Sequence, residues 1–145
     1  MLRLFLNWYW KFYGWKLSGS IPYRYKKMVL AVAPHTHWVD VMVGFAARNA
    51  MKIPHAKFLG KKELFVGPLG WLLRAMGGVP VDRFSKQGTV DQVVEMFNSN
   101  ENFMLGLAPE GTRKRVNTLR TGFYHIAKNA GVPIALGYLN YKDKI

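Results

Sequence analysis

Apolar residues along this chain fall into two kinds of run that alternate from one end to the other. The first kind is short and mostly apolar. Residues 28–33, 56–60, 79–81, 103–108 and 132–138 carry it and read as strands; the continuous apolar run 28–33 is what a strand buried on both faces shows. In the second kind, apolar side chains return every three or four positions and so share one helix face. Residues 40–49 read this way, as do Phe65, Leu69, Leu72, Leu73 and Met76 up to Gly77 and Gly78. Val90, Val93, Val94 and Phe97 mark another helix, and Phe123, Ile126, Ala127 and Ala130 a last one closed by Gly131. The alternation predicts an α/β fold with a mostly parallel central sheet flanked by helices. No internal repeat or low-complexity segment interrupts it.

Residues 2–17 (LRLFLNWYWKFYGWKL) stand apart from this rhythm and are followed by a turn-forming break over residues 18–22 (SGSIP). Drawn as a helix, Arg3, Asn7, Lys11 and Gly14 fall within about 80° of one another. The rest of the circumference is Leu, Phe, Trp and Tyr, with Lys16 near its edge. A membrane-spanning helix needs about 20 apolar residues, and this segment is shorter and interrupted. A signal peptide needs a small-residue cleavage site after a clean apolar run, which is absent here. Two readings stay open. The segment is an amphipathic helix lying in a membrane interface, with Trp8, Trp10 and Trp15 at headgroup depth and its cations on anionic lipid. Otherwise it packs its aromatic residues on the core or on a second subunit. The density of Trp and Tyr beside Lys favours the interface. The expected organisation is an anchor helix over residues 1–20 and one body over residues 21–145.

Composition narrows the partners. The 145 residues fit a single domain. Half of them are hydrophobic and only 20% are charged, which argues against disorder. The 21 Lys and Arg against 8 Asp and Glu give a net charge of +13 and call for an anionic partner. Nucleic acid, an anionic membrane surface and a phosphorylated substrate all satisfy that demand. No aromatic-studded basic strand, basic helix or zinc module is present, so nucleic acid is not expected. The chain has no cysteine, which excludes disulfides, thiolate nucleophiles and cysteine-based zinc sites.

The candidate chemistry sits where apolar strands give way to polar turns, the place where open α/β sheets carry their sites. His35-Thr-His-Trp-Val-Asp40 follows the first strand. A spacing of five does not make neighbours within one helix. Across a strand-to-helix turn, however, the chain can fold back so that Asp40 meets the imidazole. A carboxylate on one ring nitrogen fixes the tautomer and leaves the other nitrogen free to accept a proton. With no serine or cysteine nucleophile nearby, that proton would come from a substrate hydroxyl. The bland alternative is a histidine cap with Asp40 at the helix dipole. His37 also makes a His-x-His pair, but ligands for a metal centre run short and no metal is expected. Glu110-Gly-Thr-Arg113 ends a later strand. Arg113 offers a planar fork for phosphate, Thr112 a hydroxyl, Gly111 close backbone approach and Glu110 a hydrogen-bond acceptor. Asp82 and Arg83 end the short strand between them, where a surface ion pair is the ordinary reading.

Taken in order, these pieces resemble the glycerolipid acyltransferases, and specifically the 1-acylglycerol-3-phosphate (lysophosphatidate) acyltransferase family. The four blocks are residues 35–40 (H-x4-D), 78–83 (G-x-x-x-D-R), 110–113 (EGTR) and 132–134 (VPI). The stretch 58–64 (FLGKKEL), with Pro68 and Gly70, is similar to the family's lysine-containing segment between the first two blocks. Many members carry asparagine before the histidine, where this chain has Pro34, and members usually continue past the fourth block. Residues 21–145 are therefore expected to be an acyltransferase domain shortened at its C-terminal end.

The resemblance implies the glycerol-3-phosphate acyltransferase-like fold and acylation of a hydroxyl. His35 would act as general base and Asp40 would hold it in register. Arg83, Glu110, Gly111, Thr112 and Arg113, together with Lys61, would bind the acceptor's phosphate and glycerol. The acyl donor is acyl-CoA or an acyl-carrier protein, used as co-substrate with no resident cofactor. The expected location is peripheral, on the cytoplasmic face of the cell membrane. A non-catalytic, membrane lipid-binding protein that keeps the fold is the competing reading. Acceptor identity, acyl length and oligomeric state are not set by the sequence.

Overall fold

The structure is a computed structural model describing residues 1–34, 37, 39–110, 117–118 and 120–145. After helix α1 (Leu2–Phe12), strands and helices alternate as β1 (Lys27–Ala33), α2 (Val39–Ala50), β2 (Ala56–Lys61), α3 (Gly67–Ala75), β3 (Gly78–Val81), α4 (Gly88–Ser99), β4 (Phe103–Leu107), α5 (Gly122–Ala130) and β5 (Ile134–Tyr138). Among the described residues the strands form one sheet in the order β3-β2-β4-β1-β5, and every pairing is parallel. The α/β class and the parallel sheet expected from the apolar alternation are what the chain adopts.

Burial explains the density of the strands. Met28, Val29, Met104 and Leu105 lie on central strands with helices on both sides, so consecutive side chains are buried whichever way they point. On one face, Val29, Val81 and Leu105 pack against Val93 and Phe97 of α4 and Ile126 and Ala127 of α5. Fully burying each of the valine, leucine, isoleucine and phenylalanine side chains stabilises the fold by about 1.5–3 kcal/mol. On the other face, Met28, Ala56 and Met104 meet Ile53, while Phe58 joins Phe45 and Ala46 of α2. Arg48 of α2 donates to the carbonyls of Ala56 (3.0 Å) and Met76 (2.7 Å), tying α2 to the first residue of β2 and to the segment before β3. Burial pushes its guanidinium pKa down from the usual value.

Two elements depart from expectation. The apolar spacing from Phe65 to Met76 predicts one helix facing the core. Instead Lys62–Phe65 form a 3₁₀ turn, and α3 begins only at Gly67. Gly67 takes φ +63, a left-handed conformation that breaks the run, and Pro68 in the first turn restarts it. Phe65 is buried against Gly60 and Gly78, whereas Leu69 and Leu72 face outward. Helix α1 likewise ends at Phe12, ahead of Gly14 with φ +71. Trp15 is therefore no interface residue: it is 7% exposed and turned inward, against Trp10 and Tyr141. Leu6 anchors α1 on Phe45 and Ala46, and the Asn49 side-chain amide donates to the Asn7 Oδ1 at 2.6 Å. Leu4, Phe5, Trp8 and Phe12 are left exposed.

Candidate active site

Strands β1 and β4 are parallel neighbours, with Ala31 opposite Leu107. The turns that follow them therefore leave the same edge of the sheet, about 4.8 Å apart at their roots. After β1 the chain passes a cis Ala33–Pro34 peptide and enters α2 at Val39. Asp40 occupies the first turn of that helix with 4% exposure. Its Oδ2 accepts the backbone N–H of His37 at 2.7 Å, so the carboxylate points back over the motif turn. The Asp40 N–H in turn donates to the His37 carbonyl at 3.1 Å.

His37 is exposed, and its Nδ1 accepts the Val39 N–H at 3.2 Å. Its ring thus satisfies one of the orphan donors at the start of α2. Among the described residues no three His, Asp or Glu side chains are grouped as cation ligands.

A further partner of Asp40 is one that no spacing rule could reveal. The Tyr141 hydroxyl, 101 residues away in sequence, donates to Asp40 Oδ1. Tyr141 follows β5, and the edge of its ring meets Trp15 at 5.2 Å between centroids.

The remaining candidate residues spread along the same edge of the sheet. Glu110 follows β4 and is 8% exposed. The Arg120 N–H donates to the Pro109 carbonyl at 2.8 Å, closing the base of the loop between β4 and α5. Lys61 is the exposed last residue of β2. Arg83 lies just past β3 and is exposed. The neighbouring Asp82 pairs with Lys62 at 3.5 Å, not with Arg83. At an edge position that pair contributes little. His35, Gly111, Thr112 and Arg113 lie outside the described residues.

Gln92 of α4 was not legible as a site residue. Its Oε1 accepts the Asp82 N–H at 3.1 Å and its Nε2 donates to the Asp82 carbonyl at 2.8 Å. The amide grips both polar groups of one peptide residue, as a neighbouring strand would, and so shapes the turn that presents Arg83. A glutamine four residues into a helix carries no such signal in sequence.

The strand order sets how far apart the candidate residues are rooted. Asp40 and Glu110 follow adjacent strands, Lys61 ends the next one along, and Arg83 follows the edge strand. Arg83 is rooted three strands from β1, about 14 Å away at the usual strand spacing. A ligand touching both ends must be extended. The fourth block, residues 132–134, lies at the opposite edge of the sheet, where the Pro133 carbonyl accepts the Val29 N–H at 3.0 Å. It sets the register of β5 on β1 and is remote from Asp40.

Comparison with known proteins identifies the family. The model of the family described as Acyltransferase matches residues 16–135. A 1-acyl-sn-glycerol-3-phosphate acyltransferase of Haemophilus influenzae is 30% identical, over 88% of this chain and 56% of its own length. One of the same description from Escherichia coli is 34% identical, over 71% of this chain and 43% of its own length. The chain thus spans about half the length of the curated relatives it matches. No solved structure matches it significantly. With the family model covering most of the chain and all the blocks at issue, the chain belongs to the glycerolipid acyltransferase family.

Proposed function

We propose that the protein is a membrane-surface O-acyltransferase that moves a fatty acyl group onto a hydroxyl of a lysophospholipid such as 1-acylglycerol-3-phosphate. The observation that carries the reading is the buried Asp40 carboxylate, turned back over the segment that contains His35. In this mechanism Asp40 holds the His35 ring in register and the free ring nitrogen takes the proton of the acceptor hydroxyl. The oxygen attacks the thioester carbonyl of acyl-CoA or acyl-carrier protein. The tetrahedral intermediate then collapses, expelling the thiolate, which recovers the proton from His35. Glu110, Gly111, Thr112, Arg113, Lys61 and Arg83 serve the acceptor's glycerol and phosphate. The spread of the described ones over several strand ends suits an extended lipid head better than a compact anion.

Association with the membrane is supported by α1, whose exposed face carries Leu4, Phe5, Trp8 and Phe12. Arg3, Lys11 and the overall +13 suit an anionic leaflet, with the cytoplasmic face as the proposed location. Among the described residues no helix is long and apolar enough to cross a membrane.

The test is a mass-spectrometric assay of purified protein on vesicles containing lysophosphatidate, supplied with acyl-CoA or acyl-carrier donors. Phosphatidate should form. Asp40→Asn or His35→Ala should lower kcat by about 10²–10⁴-fold, the usual worth of a positioned general base. Full activity in either variant would refute the mechanism. Vesicle binding without turnover of any donor would favour a lipid-binding role instead.

A further inference from the structure

We propose that Tyr141 is a positioning residue for acyl transfer, acting through Asp40; the inference rests on the catalytic reading above. A carboxylate with 4% exposure must find donors inside the protein. The His37 N–H supplies Oδ2 and the Tyr141 hydroxyl supplies Oδ1. The two donors differ in origin. His37 belongs to the same turn as Asp40 and moves with it. Tyr141 comes from beyond β5 and holds the carboxylate from outside that turn.

Its own placement is firmly fixed. The Leu139 N–H donates to the Ala33 carbonyl at 2.9 Å, extending β5 alongside the end of β1. Asn140 and Ile145 exchange backbone hydrogen bonds of 2.8 and 3.1 Å, closing the segment that carries Tyr141. The Lys16 N–H donates to the Lys144 carbonyl at 2.7 Å, and the buried Trp15 ring backs the tyrosine. Rotating the carboxylate away from the motif turn would break both of these contacts. Tyr141 takes part in no bond-making step. Its task is to confine Asp40 to the one orientation that can steady an imidazole on the turn before it.

The Tyr141 ring is 43% exposed and rests on Trp15. Tyr141→Phe therefore removes the hydroxyl and leaves the ring contact. The experiment compares the wild type, Tyr141→Phe, Asp40→Asn and the double variant, with lysophosphatidate vesicles and acyl-CoA. Tyr141→Phe should lower kcat about ten- to hundredfold, the scale of a small misplacement at a reacting centre, and leave the acceptor KM unchanged. In the Asp40→Asn background the same change should have no further effect on kcat. Urea unfolding of the wild type, Tyr141→Phe, Asp40→Ala and their double variant, in which position 40 keeps no acceptor, should give non-additive midpoints.

Wild-type turnover with an unchanged kcat in Tyr141→Phe overturns the positioning role alone. An equal fall in both backgrounds does so too, since it would show a general loosening of the fold. A wild type that turns over no donor overturns the catalytic reading and the positioning role with it. Additive unfolding midpoints would remove the contact itself.

Discussion

Replacing Gln92 with leucine removes three hydrogen bonds, two of them to the turn that presents Arg83 and one to the first turn of α4. The side chain accepts the Asp82 N–H at 3.1 Å, and its Nε2 donates to the carbonyls of Asp82 at 2.8 Å and Gly88 at 3.1 Å. At a net worth of about 1 kcal/mol each, the bonds sum to about 3 kcal/mol. Gln92 is only half-buried, so water can replace part of what is lost, and about 2 kcal/mol is the expected destabilisation. For a chain of this size that corresponds to a fall in Tm of about 4–8 °C. Gln92→Glu separates hydrogen bonding from packing. It keeps the shape and the acceptor for Asp82 N–H but sets a carboxylate against two carbonyl oxygens, so it should be at least as destabilised. Differential scanning calorimetry measures both variants. The acceptor KM should also rise in each, because the turn before Arg83 loses its support. A Tm within error of the wild type for Gln92→Glu would refute the assignment of these bonds.

Two further outcomes follow from the packing. A Cβ added at Gly70 would lie 2.2–2.8 Å from the Phe65 backbone, which cannot move without dislodging the Phe65 ring from Gly60 and Gly78. Gly70→Ala should therefore cost about 1–3 kcal/mol, read as a lowered urea midpoint, while alanine at Gly44, an open position inside α2, should stabilise by about 0.5–1 kcal/mol and raise the midpoint slightly. On α1, Trp8→Ser and Phe12→Ser remove exposed rings stacked 4.8 Å apart. They should weaken sedimentation with anionic vesicles and leave Tm almost unaltered; a large loss of Tm with unchanged vesicle binding would assign these rings to the fold.

The sequence by itself determined the class of fold, because a strand buried on both faces and a helix buried on one impose different periods on their apolar residues. Residues 28–33 and 103–108 could be read as central strands for that reason, and both are. It also singled out candidate residues, since His35, Asp40, Arg83 and Glu110 each come directly after an apolar run or in the turn that follows it. Tertiary structure decided what local pattern cannot encode. The apolar stripe of α3 looks like a core face, yet Leu69 and Leu72 are exposed because Gly67 and Pro68 reset the helix after Phe65 has entered the core. Trp15 looks like an interface aromatic, yet it backs Tyr141. The strand order decided that Asp40 and Glu110 follow neighbouring strands while Arg83 is rooted on the edge strand, beyond the strand that bears Lys61. The Tyr141 hydroxyl reaches Asp40 only because β5 pairs with β1, a contact between residues far apart in sequence. Periodicity records the environment of each side chain along its own element. Which side chains meet depends on how the elements are ordered, and that is settled only when the sheet assembles.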